Sequence, residues 1–320
     1  MKQQPIKFVP IIKDKIWGGQ RLNTLLGKDL GDLPNGGESW ELSAVKGNVS
    51  IIANGELKGM PLNKAIETYG AELVGSKVYV QHGNDFPLLI KFIDAADNLS
   101  VQVHPDDKMA KERHNSFGKT EMWYVLDSDE GAQLISGFAR KSNKEEYQPL
   151  LDEGKFVDIL GAHTVRRGDV FFMPAGRIHA IGKGVMVAEI QQTSDITYRV
   201  FDYNRRDAQG NSRELHVEEA KEALNFNDTD SGKQEYTLIP NQRAEVVSCP
   251  FFKTGIIAVN GTCSRDYSNI DSFVILMCVK GNVVADGIHI NYGETALVPA
   301  CSNGLTITAD SDSELLEVYL

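Results

Sequence analysis

Short segments in which apolar residues alternate with polar ones, or cluster in blocks of four to eight, recur along the whole chain, while three- to four-residue periodicity appears in few places. The alternation predicts strands over residues 39–45, 49–52, 87–93, 99–103, 122–126, 170–173, 185–191 and 197–202. Helical spacing predicts helices over 62–73, 106–113, 144–151 and 214–224, the last with Val217, Ala220 and Leu224 on one face and Ser212 available as a cap. Strands this short and this closely spaced, punctuated by 29 glycines, predict a mainly β protein, a sandwich, jelly roll or barrel carrying a few helices. The polar, turn-rich stretch 225–233 reads as a connector. A first domain is therefore expected over residues 1–240 and a second, all-strand unit over 241–320, with its clearest strands at 273–276 and 293–299.

Length agrees, since 320 residues correspond to about two domains. The longest apolar blocks, such as Val274 to Val279, fall far short of the ~20 residues that span a bilayer, and the amino terminus has no apolar stretch behind its lysine. A cytoplasmic protein without a membrane partner is expected. Thirty-three basic residues against 44 acidic ones leave a net charge of -11, which disfavours nucleic acid and anionic lipid, so any anionic ligand must meet a local cluster of cations. Cys249, Cys263, Cys278 and Cys301 contain no CxxC pair, which argues against a zinc ribbon or redox motif and for reduced thiols.

Three segments carry candidate chemistry: Ser100-Val101-Gln102-Val103-His104-Pro105, Gly118-Lys119-Thr120-Glu121-Met122-Trp123, and the run from Gly168 through Pro174 and Gly176 to His179. Residues two apart in a strand share a face, so Gln102 and His104 project together, about 7 Å apart, while Val101 and Val103 enter the core. Pro105 ends the ladder just past His104, and Glu121 and His179 likewise fall where strand meets loop. A strand bearing QxH, a glutamate 17 residues after His104, and G(x)5PxG(x)2H together resemble the two-part metal signature of cupin β-barrels, with Gln-x-His in place of His-x-His. Metal ligation by His104, Glu121 and His179 is expected, with Gln102 either a fourth ligand or a hydrogen-bonding neighbour. Two imidazoles and a carboxylate suit zinc, with manganese, iron and cobalt as alternatives, and three or four protein ligands leave a coordination position open.

Further motifs narrow the resemblance: Ile16-Trp17-Gly18-Gly19, the run Gly37-Glu38-Ser39-Trp40-Glu41-Leu42-Ser43, Pro87-Leu88-Leu89-Ile90-Lys91-Phe92, and the stretch from Asp195 through Tyr198-Arg199-Val200-Phe201-Asp202 to Arg205. With the three segments above they span roughly residues 8–220 and resemble the type I mannose-6-phosphate isomerases, in particular the short bacterial class. The resemblance implies a cupin fold, interconversion of mannose 6-phosphate and fructose 6-phosphate, zinc bound at Gln102, His104, Glu121 and His179, an essential arginine at Arg199 and an active-site lysine at Lys119. In the C-terminal unit Gly293(x)5Pro299 is similar to the second cupin motif, but no histidine follows it and His289 precedes it. One metal per chain and a second, degenerate cupin barrel are expected.

Isomerisation through an enediol needs a base, a stabiliser of oxyanion charge and a grip on phosphate. Candidate bases are Lys119, Glu189 and a metal-bound hydroxide; a lysine qualifies only where its surroundings favour the neutral form. Arg199 and Arg205, six residues apart, share a face if the strand continues, which places Arg205 and Ser100 on the phosphate and Arg199 nearer the reacting carbons. Lys91 interrupts an apolar block and Glu189 another, so each needs a partner or a cleft, Arg199 being a candidate partner for Glu189. Trp17 is expected beside the sugar or in the core. A cupin dioxygenase, another sugar isomerase and a non-enzymatic sugar-binding cupin are the competing readings.

Overall fold

In the computed structural model, described over residues 3–207 and 209–320, the alternating segments pair into three antiparallel sheets. A seven-stranded sheet runs Lys233–Gln234, Val170–Met173, Glu121–Ser128, Val185–Gln192, Leu88–Ala95, Gly36–Leu42, Ile11–Gly19. A five-stranded sheet runs Tyr198–Phe201, Val101–Val103, His179–Ile181, Gln133–Phe138, Leu160–Thr164. Together they form the first jelly-roll unit. All eight strands read from the alternation are present, with ends displaced by at most three residues.

The two central strands, Leu88–Ala95 and Val185–Gln192, are buried at every position, which is why they read as near-continuous apolar blocks. Their side chains divide by alternation. Leu88, Ile90 and Phe92, with Met186, Ala188 and Ile190, pack outward into a core shared with Ile275, Met277 and Leu316 of the C-terminal sheet. The opposite face carries Lys91 and Ile93 together with Val187 and Glu189, and lines the interior of the first unit. In the five-stranded sheet Val101 and Val103 pack outward against Tyr147, Phe156, Ala220 and Leu224, so helices cover that face and Gln102 and His104 turn inward.

The third sheet has nine strands: the order Arg243–Ser248, Lys253–Asp266, Gly304–Tyr319, Val274–Lys280, Thr295–Val298, Ile6–Val9, Ile51–Ile52, with Val283–Ala285 and Ile288–Ile290 attached at the side. It curls about its own core of Ile257, Leu276, Ile307 and Leu315. Strand Ile6–Val9 pairs Ile6 with Leu297 and Phe8 with Ile52, so the chain's first residues complete the C-terminal sheet. Both side chains are buried, each contributing about 1.5–3 kcal/mol of apolar stabilisation. The cysteines are reduced thiols, with Cys263 and Cys278 buried.

Helices depart from expectation at two places. The predicted 62–73 helix is two, Leu62–Tyr69 and Ala71–Val74, interrupted by Gly70 at φ 47°; a third, Ser76–His82, follows Gly75. The predicted 214–224 helix begins later, at Val217, without a side-chain cap, because Arg213 is held by Asp202 and Ser212 by a bridge to Arg206. Among the described residues no helix is long and apolar enough to cross a membrane.

Candidate metal centre and adjoining cleft

Register alone brings the candidates together. Across the five-stranded sheet Arg199 lies opposite Gln102, and Gln102 opposite His179. Across the facing sheet one row reads Trp123, Glu189, Lys91, Trp40, with Glu121 two residues before Trp123 on the same side. His104, Glu121 and His179 meet between the sheets, 1%, 0% and 1% exposed, with their donor atoms all within 4.8 Å of one another. Among the described residues this is the one grouping of three such donors. Gly168 and Gly176, which punctuate the turn before His179, take φ of 89° and 87°, a backbone that side-chain-bearing residues rarely adopt.

The donor set fits a cation. His104 Nδ1 donates to Ile196 O and His179 Nδ1 to Arg177 O, each at 2.9 Å, which leaves both Nε2 lone pairs pointing inward, 3.1 Å apart. Glu121 Oε1 and Oε2 lie 3.4 Å from His179 Nε2 and 3.5 Å from His104 Nε2, both buried, and apart from the contact of Oε2 with Lys119 neither oxygen has a hydrogen-bond donor. Two facing lone pairs and an orphaned carboxylate cost free energy unless a positive charge sits among them. Lys119 supplies one, with Nζ 2.9 Å from His104 Nε2 and 2.8 Å from Glu121 Oε2.

Electrostatics follow from burial. Desolvation, then the Lys119 charge, holds both imidazoles well below the usual histidine range, His179 at about 3. Desolvation and the negative Glu189 push the Glu121 carboxyl up to about 7 against the pull of Lys119. Gln102 turns its amide nitrogen to His179 Nε2 at 3.4 Å, while its oxygen accepts from Ser100 Oγ at 3.3 Å.

Beside this group opens a cleft of about 120 Å³. Trp17, Lys91, Ser100, Gln102, Lys119, Glu189 and Arg199 all line it, so seven of the candidates share one cavity. Trp17, 4% exposed, lines the cleft and also packs in the core with Ile93, Leu99 and Trp123. Glu189 is not partnered by Arg199. It faces Lys91 directly in register: Lys91 Nζ donates to Glu189 Oε1 at 2.8 Å and to Gln191 Oε1 at 2.6 Å, and Trp123 Nε1 donates to Glu189 Oε2 at 2.9 Å. Burial alone would raise the Glu189 carboxyl, but Lys91, Lys119 and these hydrogen bonds outweigh it and hold it at about 2. Arg205 is not among the lining residues. Its guanidinium donates to Asn98 O at 2.5 Å and Asp202 Oδ1 at 3.2 Å.

Lys15 and Arg213, which lie outside the motifs, and Glu38, Trp40 and Asp195, which lie within motifs but have no role assigned from the sequence, also line the cleft. Glu38 accepts from Trp40 Nε1 at 2.6 Å and pairs with Lys15 at 3.2 Å. The available signal was a charged residue two before a tryptophan in a strand buried throughout. Lys15, Lys91, Lys119, Arg199 and Arg213 face Glu38, Glu189 and Asp195, five positive groups against three negative, a local cationic wall on an acidic protein.

Residues 6–136 match the family model of the phosphomannose isomerase type I catalytic domain. Over 281 residues the chain is 41% identical to the mannose-6-phosphate isomerase of Streptococcus mutans, covering 88% of this chain and 87% of that one. The chain belongs to the type I phosphomannose isomerase family. Another relative, the mannose-6-phosphate isomerase ManA of Bacillus subtilis, is 34% identical over 290 residues, with 88% and 87% covered. A crystal structure of a mannose 6-phosphate isomerase from Bacillus subtilis superposes with a TM-score of 0.88 at 31% identity, over 99% of this chain and 100% of that chain. The phosphomannose isomerase fold is thus matched through both jelly-roll units, including the C-terminal one, which contributes no donors to the His104–Glu121–His179 group.

Proposed function

We propose that this protein interconverts mannose 6-phosphate and fructose 6-phosphate by proton transfer between C1 and C2 through an enediol. The observation that carries the reading is the convergence of His104, Glu121 and His179 beside a cationic cleft, joined to it by Lys119 and Gln102, which touch these residues and line the cleft, in a chain of this family. Zinc is the proposed ion, held by these three residues with Gln102 as fourth ligand once its amide ends are exchanged, the two orientations being nearly isosteric. When bound, zinc supplies Lewis-acid stabilisation of negative charge on the sugar oxygens.

The chain's own residues supply the rest. Lys119 touches His104 and Glu121 and also lines the cleft, so it is the candidate placed to move a proton between C1 and C2 once a bound cation takes over its role as the positive partner of His104 and Glu121. Glu189, with both oxygens engaged and its carboxyl held at about 2, is a weak proton acceptor at neutral pH and acts by fixing Lys91 and Trp123. Lys91 and Arg199 present fixed positive charge where oxyanion character develops, costing no reorganisation at that moment. Ser100 adds a hydroxyl donor and Trp17 a flat wall for the sugar ring.

Elemental analysis of purified protein and turnover of mannose 6-phosphate in D2O test this reading. The expected result is stoichiometric zinc, and fructose 6-phosphate carrying solvent deuterium, with turnover lost on chelation and recovered with zinc. Full turnover by metal-free protein would refute the metal assignment, and product devoid of solvent deuterium would replace the enediol by a hydride shift.

A further inference from the structure

The segment 203–216, between strand Tyr198–Phe201 and helix Val217–Ala223, reverses the order in which its arginines reach the cleft. Strand geometry stops at Phe201, and Tyr203 and Asn204 both take left-handed φ, 56° and 54°. That turn carries Arg205 off the face of Arg199 and onto Asn98 O, Asp202 and Asp97. Eight residues later the chain returns, and Arg213 joins Arg199, Ser100 and Thr197 around the cavity. The return is pinned by the Arg206–Ser212 bridge, by His216 N donating to Arg199 O at 2.7 Å, and by Arg199 N donating to His216 Nδ1 at 3.3 Å.

Arg213 is held as well as placed. Its Nε and Nη2 donate to Asp202 Oδ2 and Oδ1 at 2.8 and 2.5 Å, a forked pair that leaves three of its five N–H donors uncommitted to Asp202. Asp202 is 5% exposed and serves Arg205 as well, which the exposed Asp97 also approaches at 3.5 Å, so Asp202 is the one buried carboxylate shared by two guanidiniums. Arg199 adds a third; it donates to Glu214 O at 2.7 Å, and its buried Nε has no hydrogen-bond partner. Burial and the adjoining charge of Arg213 both disfavour the charged Arg199. Positive charge gathered in excess, with hydroxyls beside it, is the arrangement that a group of about two negative charges relieves.

We propose that Arg213, and not Arg205, is the second guanidinium that grips the substrate's phosphate beside Arg199, and so sets the preference for a phosphorylated over a free hexose. The identity of the sugar rests on the function proposed above, whereas the anion site rests on the arginine geometry alone.

Inorganic phosphate is the probe, titrated into metal-loaded protein at fixed ionic strength and followed by the fluorescence of Trp17, Trp40 and Trp123 or by calorimetry. Arg213→Met is expected to weaken phosphate binding tenfold or more, and Arg205→Met less than twofold. With mannose 6-phosphate, Arg213→Met is expected to raise KM at least tenfold while kcat falls less than threefold, the signature of lost uniform binding. Unchanged phosphate affinity in Arg213→Met, or an equal loss in Arg205→Met, overturns the proposal. If Arg213→Met does not fold, Arg213→Lys decides: losing the fork but keeping the charge should weaken phosphate at least threefold, and parental affinity overturns the proposal. A parent that binds phosphate through Arg213 yet leaves mannose 6-phosphate unconverted supports this site and sinks the isomerase reading. A parent that isomerises while Arg213→Met keeps its KM sinks this site alone.

Discussion

His104 and His179 lie 75 residues apart in the chain, yet their Nε2 atoms stand 3.1 Å from each other because each ring is fixed through Nδ1 to a backbone carbonyl, Ile196 and Arg177. The carbonyls choose the tautomer, and the tautomer determines which protons a metal must displace.

Both imidazoles are neutral at neutral pH, since burial and Lys119 hold them below the ordinary range, His179 at about 3. Glu121 is the opposite case: burial and Glu189 raise it to about 7, so much of it is protonated at pH 6 in metal-free protein. Uptake of a divalent ion at pH 6 is therefore expected to release about one proton, from Glu121, and almost none at pH 9. Calorimetry in two buffers of different ionisation enthalpy counts the protons. Two or more released at pH 6 would show that the imidazoles enter the reaction charged.

Lys91 and Glu189, 5% and 3% exposed, form a pair whose disruption leaves an uncompensated buried charge. Lys91→Met is expected to cost about 3–5 kcal/mol in urea unfolding. Glu189 has a folded carboxyl at about 2, below the ordinary glutamate value of 4.5, and Glu38, also next to Lys91, is lowered too. For such groups the unfolded state binds more protons as pH drops, so their contribution is complete above about pH 4.5 and is lost as pH falls toward 2. The stability gap between parent and Lys91→Met should be widest above pH 4.5 and close below it. A gap constant across that range would mean that the lysine acts through packing alone.

Where a function depends on side chains set by strand period and turn chemistry, the primary structure was readable. Gln102 and His104 flank Val103 on an alternating strand, and the glycines before His179 mark a turn that needs positive φ, so the metal group could be assembled from spacing. Pairing between strands distant in sequence was not readable. Lys91 and Glu189 each showed as a misplaced charge, but only the register of their strands reveals that each is the other's answer. Arg205 leaves the face of Arg199 for a different reason: the six-residue spacing assumed a strand that Tyr203 and Asn204 break. The entry of Ile6–Val9 into the C-terminal sheet is likewise a long-range pairing with no local signal.

Gly18 tests how Trp17 is seated. A Cβ at position 18 would lie 2.5 Å from Gly37 N and 2.7 Å from Asn35 O, both backbone atoms that cannot swing aside. Gly18→Ala should therefore push apart the strands that carry Trp17 and Glu38, costing about 1–3 kcal/mol and raising KM through the displaced indole. Thermal unfolding and the fluorescence of the cleft tryptophans report the two effects. Parental values in both would show that the strand pair absorbs the methyl without moving Trp17.

Arg199 lies opposite Gln102 in register, one strand away from the His104–Glu121–His179 group, and lines the cleft, so in the proposed reaction its charge would bear on the reacting carbons as well as on the phosphate end. Its guanidinium also donates to Glu214 O, tying it to the segment that brings Arg213 back. Lysine at this position keeps the charge but not the planar fork, and one ammonium cannot hold the Glu214 carbonyl and present a second fixed donor to the cleft in the same geometry. Arg199→Lys is expected to lower kcat about 10²-fold, as removal of a positioned oxyanion donor does, with zinc content and melting temperature unchanged. Its KM should move less than that of Arg213→Met if, as proposed, Arg199 acts mainly on the transition state and Arg213 on the phosphate. Steady-state kinetics with elemental analysis on both variants measures the division, and an Arg199→Lys enzyme with parental kcat and a raised KM would place Arg199 wholly on the phosphate.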